Sequence, residues 1–331
     1  MQHSLAGLAI AAPLVFGVAA APAGPHGGRV FAFDDPAIVE ASALVVDDGL
    51  FLTTNDSGDT GRVFAVDSSG RTVGVTHWSE DPTDTEALAP AGHGYVWVGD
   101  IGDNEGRRSS IEIARIPVGR GDRTVSPTTY RLSYPDGGTD AETLLHDPAT
   151  GRLYVASKNV FGGVVYAVPA RLDASGTNRL KPIGRVLPVA TDGSFFPDGK
   201  HLIVRDYGTA VVYSWPSLQP VGSFALPDQR QGEGIAVAPD GKVYVSSEGL
   251  HAPVLEVTLP PPIQDAVRPA GPAATGSPSP AAPSSSNGPS SASPADPGTA
   301  DAASRDAWPW LAGGLLGLAA LVVLLLALRP R

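Results

Sequence analysis

The chain has 331 residues, 23 Lys+Arg against 34 Asp+Glu, a net charge of −11 and no cysteine. The acidic balance argues against nucleic acid as a partner, and the missing thiols exclude disulfides, thiolate metal sites and a Cys nucleophile. The net charge falls between residues 29 and 260, where 19 Lys+Arg face 30 Asp+Glu.

From Met1 to about Ala23 the chain is apolar and Ala-rich and ends in small residues, which reads as a secretory signal peptide (1–23) with His3 as its only basic n-region candidate. "RVFAFDD", Arg29 to Asp35, follows and echoes "RVFAVDSS" at Arg62. Short β-branched and aromatic runs then succeed one another, punctuated by Gly, Pro, Asp and Asn: "LFLTT", "YVWVGD", "IEIARI", "RLYVAS", "GVVYAV", "HLIVRD", "AVVYSW", "KVYVSS". No helical period survives between them, so residues 29–260 are all-β. Repeats begin at Glu40, Glu86, Glu142, Thr191 and Glu233, 42 to 56 residues apart. Each is an apolar strand, a Gly-containing turn, a returning strand and two further strands. That is the spacing of four-stranded propeller blades. The count is five, and six stays open if a long insertion hides strands. The last repeat is one strand short, and "RVFAFDD" is expected to complete it and close the ring.

Residues 261–307 are Pro/Ala/Ser/Gly with almost no large apolar side chain, a disordered stalk by composition. Residues 308–328 carry no charge and are long enough to span about 30 Å of hydrocarbon as a transmembrane helix. Trp308 and Trp310 suit the outer interface, and Arg329 and Arg331, in the stub 329–331, the inner one. The expected topology is a propeller on the extracytoplasmic side of the cell membrane, held by a single span. Gly313 and Gly317 make a G-x-x-x-G in that span, a weak dimerisation signal in so Gly/Ala-rich a segment.

With its "PDGK" turns at Pro197 and Pro239, the 29–260 segment resembles the bacterial secreted β-propellers of the WD40-like, NHL-like and esterase-like or phytase-like kinds. The resemblance implies the fold. Its functional content is broad, because propellers serve as binding modules and as enzymes.

In a blade the start of the first strand and the end of the second share one face, and the first strands line the central channel. Glu40, Glu86, Glu142 and Glu233 should therefore meet Arg205, Lys158 and Glu248 at one mouth as ligand-binding groups. Two loops on that face repeat a D-x-G-D string: Asn55, Asp56 and Asp59 in one, Asp100, Asp103 and Asn104 in the other. Oxygen-rich loops of this kind suit Ca²⁺ or another divalent cation, and suit tight turns equally well. Carboxylates about 8 Å apart repel by about 2 kcal/mol per pair at an effective dielectric of about 20, which favours a compensating cation. The alternative is a latch, each Glu accepting backbone N–H bonds from the next blade. No G-x-S-x-G, H-E-x-x-H or P-loop occurs, nothing indicates an organic cofactor, and His251 is the one histidine kept as a candidate acid/base, beside a mouth carboxylate. Three functions follow as expectations: a propeller binding an extracytoplasmic ligand or protein partner at an acidic mouth with a divalent cation; a metal-assisted phosphate or ester hydrolase, as the phytase-like resemblance implies; or a non-catalytic scaffold. The apolar stripe of Phe51, Val96, Trp97, Tyr154, Tyr166, Tyr213, Trp215 and Tyr244 is expected between blades. His93 and His146 are expected to be solvated on the far face.

Overall fold

A two-stranded hairpin in water cannot bury its apolar face, so a chain of short strands must stack them. The computed structural model describes residues 27–56, 58–78 and 81–268, all within one compact unit, Met1–Ala273. After β1 (Gly27–Ala32), the first blade is β2 (Val45–Asp47), β3 (Leu50–Thr53), β4 (Arg62–Val66) and β5 (Thr72–Trp78). The second is β6 (Thr85–Pro90), β7 (Tyr95–Asp100), β8 (Ile111–Pro117) and, past β9 (Arg123–Val125), β10 (Thr129–Ser133). The third is β11 (Ala141–His146), β12 (Leu153–Ser157), β13 (Val164–Ala167) and, past β14 (Thr177–Arg179), β15 (Lys181–Arg185). The fourth is β16 (Asp192–Phe195), β17 (His201–Arg205), β18 (Thr209–Ser214) and β19 (Gln219–Ala225). The fifth is β20 (Gly232–Val237), β21 (Val243–Ser247), β22 (Pro253–Val257) and β1, in the order β1-β22-β21-β20. The inner strands β2, β6, β11, β16 and β20 pack in that cyclic order and line the channel. This is a five-bladed, four-stranded β-propeller closed by its N-terminal strand, as the repeats imply. The insertion that left six blades open is spent on β9 and its loops.

β1 closes the ring antiparallel to β22, Gly27 opposite Val257 and Ala32 opposite Pro253. The outer edges carry a feature the sequence does not announce. β9 leaves the second blade to pair parallel with β5 of the first, and β14 leaves the third to pair parallel with β10 of the second. Both cover an edge that would otherwise offer unpaired N–H and C=O groups. The fourth blade is covered by α1 (Pro261–Val267), whose Ile263 and Val267 are buried with Phe224 and Val257. Gly222 of β19 makes room for it: a Cβ there would stand 2.9 Å from Ile263 Cδ1. The fold therefore runs past residue 260, and the first seven residues read as stalk are helix. Proline-initiated and with apolar residues four apart, they present one buried face.

The core lies between blades. Phe51, Tyr154, Tyr166, Tyr213 and Tyr244 are buried there, and half-buried Trp215 fills the gap between Tyr154 and Phe195 in edge contacts at 4.7 and 5.2 Å. Trp78 lies over Gly61, where a Cβ would come within 2.4 Å of the indole, so this tryptophan is packing. His93 is fully exposed, but His146 is half-buried, and burial lowers its pKa. Among the described residues no helix is long and apolar enough to cross a membrane. The signal peptide (1–23), the remaining stalk, the 308–328 span and the 329–331 stub lie outside the described residues.

Candidate functional site

Three inner strands carry the same local device. The register shifts between Thr85 and Ala87 in β6, between Ala141 and Thr143 in β11, and between Gly232 and Ile235 in β20. The residue held in each bulge is Glu86, Glu142 or Glu233. A bulge inserts an extra residue and re-aims its side chain, and all three carboxylates are buried to within 4% of full burial. Counting from the turn glycines aligns the other two blades. Asn55 of the first blade faces Ala41, as Asp100 faces Thr85, so its equivalent of Glu86 is Ser42 and not Glu40. Ser42 donates its hydroxyl to Glu86 Oε2 at 2.7 Å. Glu40 stands two residues earlier and is exposed at the rim. In the fourth blade there is no bulge; Asp192, not Thr191, faces Arg205. Asp192 is wholly buried and accepts from Gly193 N at 2.7 Å, Ile235 N at 2.8 Å and Leu44 N at 3.4 Å, bolting the fourth blade to the fifth and the first.

The tightest group joins blades one and two. Oxygens of Asp56, Asp84 and Glu86 all lie within 4.8 Å of one another. Two full charges at that separation repel by about 3 kcal/mol at an effective dielectric of about 20. Burial pushes the Asp84 carboxyl up, with the Asp56 charge and hydrogen bond adding to it. Burial likewise raises Glu86, helped by the charges of Glu142 and Asp56. Asp84 is 9% exposed, and its Oδ1 is buried without a hydrogen-bond partner. A buried acceptor left unmade costs about 1–3 kcal/mol.

The other half of the mouth is built by blades three to five. Lys158 binds Glu142 Oε1 and lies 5.2 Å over the Tyr207 ring. Burial opposes the lysine charge, but the Glu142 carboxylate holds its pKa up. Burial raises Glu142 despite that lysine, and its Oε2 is buried and unpartnered. Glu233 accepts from Gln231 Nε2 at 3.3 Å and is pushed up by burial to about 7. Glu248 is half-buried and raised by burial and then by Asp56 and Glu40. Ligand-binding candidates Glu86, Glu142, Glu233, Glu248 and Lys158 do share the mouth.

Arg205 does not serve it as a free cation. It is wholly buried and donates to Asp206 O, Tyr207 O, Gly234 O, Ser246 O and Gln229 Oε1 at 2.9–3.3 Å. The loop residues expected to hold metal are mostly braces. Asn55 accepts from Val39 N and Glu40 N and donates to Ala37 O and Asp59. Asp59 takes Asn55 Nδ2 and Arg62 Nε, both at 2.7 Å. Asp100 takes Thr83 N, Asp84 N and Arg108 Nη1; Asp103 takes Arg107 N and Arg108 N. Asn104 is exposed. Carboxylates already saturated by donors have little left for a cation; of the six, Asp56 is the one that stands in the carboxylate cluster with Asp84 and Glu86. His251 turns Nδ1 to Phe33 O at 2.8 Å, at the closure segment.

Asp84 and Asp192 were missed. Their signal is a recurring string: Thr83-Asp84-Thr85-Glu86, Thr139-Asp140-Ala141-Glu142 and Thr191-Asp192. The D-x-G-D loop does contribute, through its glycine. A Cβ on Gly102 would fall 2.3 Å from Asp84 Oδ2 and 2.9 Å from Glu86 Cγ. Gly102→Ala is thus expected to drive Asp84 out of the triad and cost about 1–3 kcal/mol in urea unfolding; unchanged unfolding would show the carboxylate free to move aside.

No protein-family model matches the chain, and no curated protein matches it. Solved structures similar to it include an oxidoreductase described as a glucose dehydrogenase from Thermus thermophilus. That match has 14% identity, 71% of this chain, 100% of that one and a TM-score of 0.40. Hydrazine synthase of Kuenenia stuttgartiensis matches at 14% identity over 65% of this chain and 57% of that one, TM-score 0.38. A streptogramin B lyase matches at 12% identity over 71% and 98%, TM-score 0.38. Likenesses at this level carry no argument about chemistry; the propeller rests on its own strand order.

Proposed function

We propose that this chain is an extracytoplasmic, membrane-tethered propeller that binds a ligand or partner at its acidic mouth, with a divalent cation, Ca²⁺ by the hardness of its ligands, on Asp56, Asp84 and Glu86. The observation that carries the reading is the convergence of three carboxylates within 4.8 Å, one of which, Asp84, also holds a buried Oδ1 with no hydrogen-bond partner. A cation there relieves the repulsion and satisfies the buried oxygen. Three protein oxygens leave most of a calcium shell of 6–8 ligands open to water and to an oxygen of the bound molecule. His251, the histidine candidate for moving protons, is turned to Phe33 O, which leaves a mouth carboxylate to move them in the hydrolytic alternative. Tethering rests on the apolar 308–328 segment and the 1–23 leader.

The test is thermal unfolding of the purified full chain. Calcium at a hundredfold excess over Kd is expected to stabilise by about 2.7 kcal/mol, roughly 5–10 °C for a unit of this size. Asp84→Asn is expected to abolish that shift. A chain indifferent to calcium, magnesium and manganese would end the cation reading.

The acidity has a second consequence. Glu233 is pushed by burial from 4.5 to about 7, and Asp84, Glu86 and Glu142 are raised for the same first reason. The folded state therefore binds more protons than the unfolded one, so stability falls as pH rises. For Glu233 the contribution is complete below about 4.5 and lost through about 7. The metal-free melting temperature is expected to drop between pH 5 and pH 8, and the calcium shift to grow over the same range. A metal-free protein most stable at pH 8 would contradict it.

A further inference from the structure

The mouth is acidic at its centre and apolar at its rim. Eight large apolar side chains are exposed among the described residues, and five of them, Val39, Val160, Phe161, Tyr207 and Leu250, stand on mouth loops. The other three are on outer strands or a far-face turn. Phe161 is 89% exposed and Val160 69%. They are held out by construction. Asn159 Oδ1 accepts from Phe161 N at 2.9 Å, its carbonyl accepts from Gly162 N at 3.1 Å, and Gly162 turns the chain back at φ 108°. Contacts join these loops in two pairs. Gly249 N donates to Val39 O at 2.9 Å, linking the Leu250 and Val39 loops, and Lys158 lies over Tyr207. Exposed apolar side chains gathered around one opening mark an interaction surface. Inside the rim, Glu142, Glu233 and Glu248 face Lys158, with the buried Arg205 behind Glu233, so three carboxylates meet two cations, and Glu142 Oε2 is buried with no hydrogen-bond partner.

We propose that this half of the mouth docks a protein segment carrying a Lys or Arg between apolar residues. The cationic head enters beside Glu142 and meets the unpartnered Oε2, with Glu233 and Glu248 around it. The apolar neighbours lie on Val160, Phe161, Tyr207 and Leu250. Charge complementarity selects this occupant: an acidic segment would face three carboxylates, and so would an anionic lipid surface. The proposal rests on reading the mouth as a binding face, but not on the cation, whose ligands sit across the opening on blades one and two.

The experiment selects a phage-displayed random dodecapeptide library on the purified full chain, with Phe161→Ser/Leu250→Ser as counter-selection, and measures the enriched peptides by calorimetry. Both substitutions are on exposed side chains and should leave the melting temperature and the calcium shift unchanged. Enriched peptides are expected to share a Lys or Arg flanked by aliphatic or aromatic residues. Replacing that base by Ala, or using the double variant or Glu142→Gln, should each weaken binding at least tenfold. No enrichment over the counter-selecting variant, enriched peptides without a basic residue, or, in their place, an association with phosphatidylserine vesicles that the double variant loses overturns the proposal. Peptide binding as described without a calcium shift would leave it standing and remove the cation alone; a calcium shift without such peptides would do the reverse.

Discussion

A chain lacking Gly27–Ala32 is expected to be recovered as aggregate or as a protein without a cooperative melting transition. β1 supplies the fourth strand of the fifth blade, and its removal leaves β22 an open edge. It also takes away Phe31, which is 5% exposed and packs edge-on against Phe33 at 5.7 Å and Phe51 at 4.8 Å. Deleting one buried Phe side chain costs about 3–5 kcal/mol, and the whole stability of a domain is about 5–15 kcal/mol. The lost ladder adds to that. Phe31→Ala separates the two contributions, since it keeps the strand and removes the ring. Size-exclusion chromatography and thermal unfolding read the result. A monomeric deletion variant melting with the parent would show that blade five closes without β1.

Arg205→Met is expected to cost about 3–5 kcal/mol in urea unfolding, the range for leaving one side of a buried charge network uncompensated. The guanidinium touches four backbone carbonyls and Gln229, and burial pulls its pKa down to about 10 against the charges of Glu233, Asp192 and Asp206. Its removal strands those acceptors, strips Asp192 of its compensating positive charge and leaves Glu233 with Lys158 alone. Arg205→Lys should fare little better, because an ammonium cannot reproduce the planar fork. Gly232 leaves room for that plane, since a Cβ there would run into Arg205 Nη2. A Lys variant as stable as the parent but weaker in ligand binding would return Arg205 to the role of a mouth cation.

The ring, its blades and its closing strand were legible because each depends on a pattern longer than one strand. The return strands align from a glycine: Gly49, Gly94, Gly151, Gly199 and Gly241 stand six residues before Asn55, Asp100, Ser157, Arg205 and Ser247. The first strands have no such anchor, so the first and fourth blades slipped, and Glu40 and Thr191 stood where Ser42 and Asp192 belong. The presence of acid at the mouth survived that slip; its division into triad, latch and brace did not, because donors that saturate Asp59, Asp100 and Asp103 come from backbone groups whose positions no spacing reveals. β9 and β14 are "RTV" and "TNR", polar triplets that are strands only because a neighbouring edge receives them. In α1 the two buried residues, Ile263 and Val267, were hidden by a Pro-rich surrounding composition.

Antiparallel pairing of β1 with β22 also decides where the chain enters and leaves. Glu248 and His251 precede β22 on the mouth side, so Val257 at its end is on the opposite face, and Gly27 is paired with Val257. α1 then runs on beside Pro197, Asp240 and Gly241, turns of that same opposite face. A partner or tag joined directly at Gly27 or Arg268 therefore sits at the back of the propeller, away from the opening. Biosensor immobilisation through a tag joined at either of these points should preserve full binding capacity.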